Sequence, residues 1–467
     1  MQKLKSFKDD KKNIIIFLLD TVRQADVNAM QYTTSLARAG TSYLNAISPG
    51  TWTIPSHASL FTNKNVAKLR NIPKDFFHSF KNIDPWLVKT NFLGNNETTL
   101  ASKLKIEGYT NILFSSNPLI SSQSNISTGF DKVYDIWNDS IIHNSFKIKM
   151  LMKIFDINGR MNVFRAVKLI SLFIPGAALD SIYLSLRIKG INSMIKRDGT
   201  FNIDRGGRSI NKNLEHYLKY SYDFKPHFIF MNFMEAHENY PVEGVLQDKW
   251  LYLSGVEDLS EYVLDKLHSA YIRRIKYMDR KISNSIEVLR KYGLLDNTKI
   301  IITSDHGQLF GEHGLLYHGL APYHNEINVP LIELNYENGK ILKSSGKAIS
   351  DPVSIKDLYS SILYSKPLVP LQPKTIISEH LGIADGWDES LLSMLKQRSN
   401  IASIIYHTKH MHNNKVTAIY KDHLKLIHFF GNKKDELYNI ANDRMETENI
   451  IDKNRLIANN FLNALKY

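Results

Sequence analysis

Cysteine is absent from this 467-residue chain. There can therefore be no disulfide framework, no thiolate zinc site and no cysteine nucleophile. Any chemistry that needs an oxidised cysteine side chain goes with them. Long hydrophobic runs are missing too. The apolar run 14–19 is short and ends in Asp20, and the longest uncharged apolar stretch, 169–179, is broken by Pro175-Gly176. A membrane span needs about 18 or more apolar residues. Residues 1–13 are mixed in charge, without the longer apolar centre and small-residue cleavage site of an export signal. A cytoplasmic protein is expected, attachment to a membrane surface staying open. Negative charge is the scarcer sign: 59 Lys and Arg stand against 46 Asp and Glu, a formal charge of +13. With 43% hydrophobic and 22% charged residues the composition is globular, and the length suits two or three domains.

What is present is a set of short, continuous apolar segments that end in polar residues. Ile14-Ile15-Ile16-Phe17-Leu18-Leu19 reads as a strand buried on both faces and stops at Asp20-Thr21. A second run, 227–233, leads into Glu235-Ala236-His237. A third, 299–303, leads into Ser304-Asp305-His306-Gly307. Helical patterns at 97–107 and 262–292 lie between them. Strands alternating with helices predict an α/β fold with a large, mostly parallel sheet. In such sheets the residues just past the C-terminal strand ends converge on the ligand crevice. Residues 371–467 read as a smaller α+β domain after a catalytic domain at 1–370, with strands at 415–420 and 424–430 and a closing helix at 454–465. Within the larger domain, 141–215 is a basic, mainly helical insertion with 13 basic and 5 acidic residues. It reads either as a solvated cap or as an amphipathic contact with an anionic membrane or polyanionic substrate. No recognition motif accompanies the charge, so nucleic acid is not expected as a partner.

Three segments carry chemistry. Asp20 is a carboxylate at a strand end, able to ligate a hard cation. Asp305 and His306 offer an oxygen and a nitrogen to one ion, and Gly307 is expected to let the chain turn away. Thr51-Trp52-Thr53-Ile54-Pro55-Ser56-His57 combines hydroxyls with a helix start, where backbone N–H groups favour an anion.

Asp20-Thr21-Val22-Arg23, Thr53-Ile54-Pro55-Ser56-His57-Ala58-Ser59-Leu60-Phe61-Thr62 and Thr303-Ser304-Asp305-His306-Gly307 through Gly311-Glu312-His313-Gly314 resemble, in order and spacing, the motifs of the sulfatase family of the alkaline phosphatase superfamily. Glu235-Ala236-His237-Glu238-Asn239-Tyr240-Pro241 resembles its mid-chain His motif, and Val329-Pro330-Leu331-Ile332 and Glu436-Leu437-Tyr438-Asn439-Ile440 resemble its later landmarks. The resemblance implies a large sheet flanked by helices with a small C-terminal α+β domain. It also implies one divalent metal ion (calcium, magnesium or manganese) on Asp20, Asp305 and His306. By position Thr53 is the nucleophile, His237 and His318 are catalytic, and His57 and Asn117 bind substrate. The chain departs from the family pattern at Thr21, where a second acid is common, at His57, where arginine is common, and at Leu320, where a lysine is usual.

The nucleophile has chemical consequences. Most sulfatases use a cysteine or serine oxidised to an aldehyde. Oxidation of a threonine would give a ketone, so that route is closed, whereas a threonine alkoxide suits phosphorus. Members of the wider superfamily that cleave or transfer phosphodiesters use an unmodified threonine. The expected function is a metal-dependent hydrolase or transferase of an anionic phosphoester, on a glycan or lipid-linked substrate, through a covalent Thr53 intermediate. The alternatives are a sulfuric ester hydrolase without the aldehyde, with Ser56 as another attacking hydroxyl, and a catalytically silent binding protein. A two-metal phosphatase would need three further ligands, for which the sequence alone offers no convincing set.

Overall fold

A computed structural model describes residues 11–69, 92–94, 97–138, 203–223, 225–238, 240, 242, 259–342, 346–369, 375–381, 415–431 and 433–464. The expected apolar runs are strands. They are β1 (Asn13–Leu19), β2 (Thr41–Ile47), β3 (Thr110–Ser115), β4 (Lys132–Asp135), β5 (His227–Phe233) and β6 (Asn297–Thr303). A two-residue pair, β7 (Leu309–Phe310) and β8 (Leu316–Tyr317), forms a hairpin beyond β6. The long β9 (Asn328–Glu337) follows, with the short β10 (Lys340–Ile341), β11 (Lys347–Ile349) and β12 (Val353–Ser354). Together with all of these except β7 and β8, the main sheet has ten strands, ordered β11-β2-β9-β6-β1-β5-β3-β4, with β10 on β9 and β12 on β2.

β1 pairs in parallel with β5 and β6, and β5 pairs in parallel with β3. β9 runs antiparallel to both β6 and β2, which sets β2 parallel to the central strands. The ends of β2, β6, β1, β5 and β3 therefore share one edge of the sheet. Alternation within the strands fills a core on each face. Ile15, Phe17, Leu19, Ile229, Met231 and Phe233 pack on one side. Ile14, Ile16, Leu18, Phe228 and Phe230 pack on the other. A strand buried on both faces reads as continuously apolar for this reason. Pro330 lies inside β9, where a missing N–H would break a ladder. The β2–β9 register slips between Tyr43 and Ala46, opposite that residue, so the proline occupies an irregularity.

Helix Glu261–Lys291 packs its buried Leu267, Ala270, Tyr271, Ile275, Met278, Ile282 and Ile286 on the first core. The helix expected at 97–107 is shorter, Leu100–Ile106, because Thr99 caps it by accepting the Ser102 N–H. The small domain holds more sheet than the sequence suggested. Strands β13 (Ile376–His380), β14 (Val416–Lys421), β15 (Leu424–Phe429) and β16 (Glu436–Asn439) form an antiparallel sheet in that order, followed by helix Arg455–Ala464. It docks against the loop after β2, with the Glu379 N–H on Pro49 O at 2.9 Å.

Of the 141–215 insertion, 141–202 lie outside the described residues, and most of the expected membrane contact falls there. The portion described is the start of helix Gly207–Tyr220, which buries Ile210, Leu214, Tyr217 and Leu218 on the core. Among the described residues no helix is long and apolar enough to cross a membrane.

Candidate active site and metal centre

The shared sheet edge gathers the chemistry-bearing residues. Asp20 follows β1, Asn117 follows β3, Glu235 to Glu238 follow β5, and Asp305 and His306 follow β6. Helix Thr53–Thr62 starts where the chain returns from β2. Gly307 is required by proximity, not by a left-handed turn. A Cβ there would stand 2.1 Å from the Asn325 carbonyl oxygen, and the Gly307 N–H donates to Glu326 O at 2.6 Å. The carbonyls of the His324–Ile327 turn thus press the Asp305-His306 corner into place. Thr21 does hold a left-handed backbone, at φ 63°, which is costly for a β-branched residue. Its N–H faces Asp305 Oδ1 at 3.4 Å.

Asp20, Asp305 and His306 are wholly buried, each with a ligand atom within 4.8 Å of the other two. His306 Nε2 lies 3.5 Å from Asp305 Oδ2 and 3.9 Å from Asp20 Oδ1. Among the described residues neither of those carboxylate oxygens has a hydrogen-bond donor. The ring is oriented by its Nδ1, 3.0 Å from Gly307 O, the usual arrangement behind a ligating imidazole. Two buried, unsatisfied carboxylate oxygens converging on one imidazole nitrogen fit a divalent cation, whose charge would offset their burial. Burial, then the neighbouring Asp305, pushes the Asp20 carboxyl up to about 7 against the opposing His237, His306 and Asn117. Burial likewise pushes Asp305 up to about 7, opposed by the backbone N–H groups of Thr21 and His306.

Thr53 is the first residue of its helix, and its Oγ1 lies 3.4 Å from His306 Nε2. Four residues remote in sequence thus meet at one point. Ser56, the other candidate attacker, is occupied elsewhere: its hydroxyl pairs with Ser48 Oγ at 2.8 Å and donates to Gly50 O at 3.2 Å.

His57 and Asn117 sit behind this centre. His57 Nδ1 donates to Thr53 O at 2.9 Å, and its Nε2 faces the Asn232 amide at 3.3 Å. Burial pushes its pKa down to about 3, so its approach to Asp305 Oδ2, at 3.6 Å, involves a neutral ring. Asn117 donates to Asp20 Oδ2 at 2.8 Å, while its Oδ1 accepts the Leu119 N–H at 2.9 Å. His57 thus contacts the Thr53 backbone and lies beside Asp305, whereas Asn117 contacts Asp20.

His237 and His318 stand on the open side, with ring centroids 5.0 Å apart and the His318 ring 4.3 Å from that of His306. His318 is fixed by Gln308, whose Oε1 accepts from its Nδ1 at 2.8 Å. Burial pushes His318 down to about 3, so its ring is neutral. His237 is the more exposed of the two and bonds through Nδ1 to Glu238 O at 2.9 Å. The sequence reading missed Gln308 and Glu238. It also missed Arg205 and Arg274, whose guanidinium groups donate to Glu238 O and His237 O, both at 2.6 Å. Glu238 is adjacent to His237, and that adjacency was the one local sign. The arginines come from remote elements and carry none. His313 only braces the loop, stacking on Tyr323 at 3.7 Å.

A family model described as Sulfatase matches residues 12–364. An arylsulfatase of Clostridium perfringens is 24% identical over 199 residues, 42% of this chain and 38% of its own length. A choline-sulfatase of Rhizobium meliloti is 37% identical over 60 residues, 13% of this chain and 12% of its own. The matches thus span well under two thirds of these relatives. Among solved structures, the phosphonate monoester hydrolase of Agrobacterium radiobacter superposes with a TM-score of 0.59 at 15% identity, covering 97% of this chain and 95% of its own. The phosphonate monoester hydrolase of Silicibacter pomeroyi gives 0.56 at 14% identity, covering 98% and 94%. A 2-O GAG sulfatase gives 0.55 at 14% identity, covering 98% and 93%. At such identities these structures show a common fold.

Proposed function

The chain belongs to the sulfatase family, and from that premise we propose that it is a metal-dependent hydrolase or transferase of anionic phosphoesters that works through a covalent Thr53 intermediate. The observation that carries this reading is the Thr53 hydroxyl at a helix N-terminus, 3.4 Å from His306 Nε2, in a chain with no cysteine. Proteins of this family generally hold a divalent metal, and Asp20, Asp305 and His306 are the residues that would hold it here. When bound, such a cation supplies positive charge that favours the alkoxide form of a neighbouring hydroxyl and offsets charge on a transferred phosphoryl group.

Thr53 Oγ attacks phosphorus in line. The Thr53 O–P bond forms as the bond from phosphorus to the leaving oxygen breaks, and the phosphoryl negative charge faces the helix N-terminus. His237 is assigned the proton passed to the leaving oxygen, because burial keeps His318 neutral. His318 offers a fixed hydrogen-bonding ring beside it. Arg205 and Arg274 hold the His237–Glu238 backbone and place cationic charge near an anionic substrate. Water, or an acceptor alcohol, then attacks phosphorus opposite the Thr53 oxygen, gives its proton to the His237 ring left neutral by the first step, and the Thr53 oxygen departs as the alkoxide. His57 and Asn117 align Thr53 and Asp20. A glycan or lipid-linked ester is the proposed substrate class, in line with the basic balance of residues 141–215.

Matched turnover of aryl sulfate, phosphate monoester and phosphodiester substrates under metal titration tests this. A phosphodiester or phosphate monoester is expected to be preferred, with activity saturating in metal. A preference for sulfate would overturn the argument from Thr53 and favour sulfuric ester hydrolysis by another hydroxyl or by water.

A further inference from the structure

We propose that His237, Glu238 and His318 form a second divalent-cation site beside the Asp20–Asp305–His306 centre, selective for a borderline-soft ion of the zinc type. Each of the three offers one ligand atom, and these atoms lie within 4.8 Å of one another. Glu238 Oε2 stands 3.3 Å from His237 Nδ1 and 3.4 Å from His318 Nδ1. Tetrahedral zinc, with bonds of about 2.0–2.1 Å, spaces neighbouring donors by about 3.3–3.4 Å. These two donor spacings therefore already match edges of that polyhedron. The donor types differ from those of the first centre. Two imidazoles and one carboxylate suit zinc, whereas two carboxylates and one imidazole suit a harder ion.

The site is also rigid. Arg274 and Arg205 hold the carbonyls of His237 and Glu238. Glu238 is the carboxylate that faces both rings. Without a cation, Gln308 bridges the set: its Oε1 accepts from His318 Nδ1, and its Nε2 donates to Glu238 Oε2 at 3.0 Å. The amide holds the donors near one another in the space an ion would bridge, and an ion replaces these bonds together with that from His237 Nδ1 to Glu238 O. Binding exchanges whichever Nδ1 protons are present for the ion and releases them to solvent. With His237 committed to a cation, it no longer delivers a proton to the leaving oxygen. Occupancy of this site is then inhibitory under the proposed reaction, although the site itself does not depend on that reaction.

The full chain is stripped with a chelator, titrated with zinc chloride and freed of excess ion, and its zinc content is then measured, with anomalous scattering at the zinc edge locating the ions. Wild type is expected to hold a zinc ion between His237, Glu238 and His318, whatever the first centre takes up. Glu238→Gln and His318→Ala should each lose that ion, with any ion at the first centre retained. Gln308→Leu removes the bridging amide but no proposed donor, and should keep the ion. Circular dichroism confirms that each variant is folded. No zinc between His237, Glu238 and His318 in wild type, an undiminished ion there in folded Glu238→Gln and His318→Ala, or its loss in folded Gln308→Leu would each overturn the assignment. Because zinc content is read without substrate, these outcomes are independent of any failure of the phosphoester reading.

Discussion

Asp20 and Asp305 are held by the fold in a protonation state that suits them poorly as ligands. Both are pushed up to about 7, chiefly by burial, from an ordinary value of 3.8. A raised carboxyl pKa means that the folded state binds more protons than the unfolded chain between these values. The metal-free fold therefore loses stability from these groups as pH climbs from about 4 through 7. A cation binds the ionised pair and reverses that loss. The rise in unfolding temperature on adding saturating metal is accordingly expected to be larger at pH 8 than at pH 6. Thermal melts of chelated and metal-loaded protein at both values check this, and an equal or smaller rise at pH 8 would contradict it. His57 behaves oppositely. Burial keeps it neutral, and its two nitrogens serve Thr53 O and Asn232. An arginine at this position would have to bury a charge among these partners, so the histidine here is matched to its surroundings.

At the scale of elements, the corner carrying Asp305 and His306 is supported from the small domain. Glu446, in the turn after β16, accepts the His324 N–H at 2.7 Å and pairs with the buried Lys425. The His324–Ile327 turn then gives its Asn325 and Glu326 carbonyls to the backbone of Gln308 and Gly307. Burial pushes Glu446 up and Lys425 down, in each case against the pull of the other. Removing one partner leaves an uncompensated buried charge, at a cost of about 3–5 kcal/mol. Denaturant unfolding of Glu446→Ala should show a loss of that order, with weaker metal binding by calorimetry because the His306 corner loosens. The pair Glu446→Gln with Lys425→Met, which keeps an acceptor for His324 N–H, should recover most of the stability. A folded Glu446→Ala of wild-type stability and metal affinity would contradict the linkage.

Across the whole molecule, the parallel strands were legible because burial on both faces forces continuous apolar runs, as in 14–19, 227–233 and 299–303. Their polar termini marked the site for the same reason: a buried sheet edge is where unsatisfied side chains can meet a ligand. Strands β2 and β9 were harder to see. Thr41–Ile47 mixes polar residues into its run, and Pro330 argues against a central strand unless an irregularity is known to accommodate it. β13 and β16 depend on partners across the small sheet rather than on their own pattern. Glu238, Gln308, Arg205 and Arg274 escaped notice because contacts from separate elements give them their roles.

The central claim, that the Thr53 hydroxyl is the attacking group, is tested most directly by turnover of Thr53→Ala beside wild type and Thr53→Ser on the preferred phosphoester at saturating metal. A loss of about 10³-fold or more is expected for Thr53→Ala with its fold and metal content intact, and partial activity for Thr53→Ser. A Thr53→Ala protein that turns over at the wild-type rate would contradict it and move the attack to Ser56 or to water.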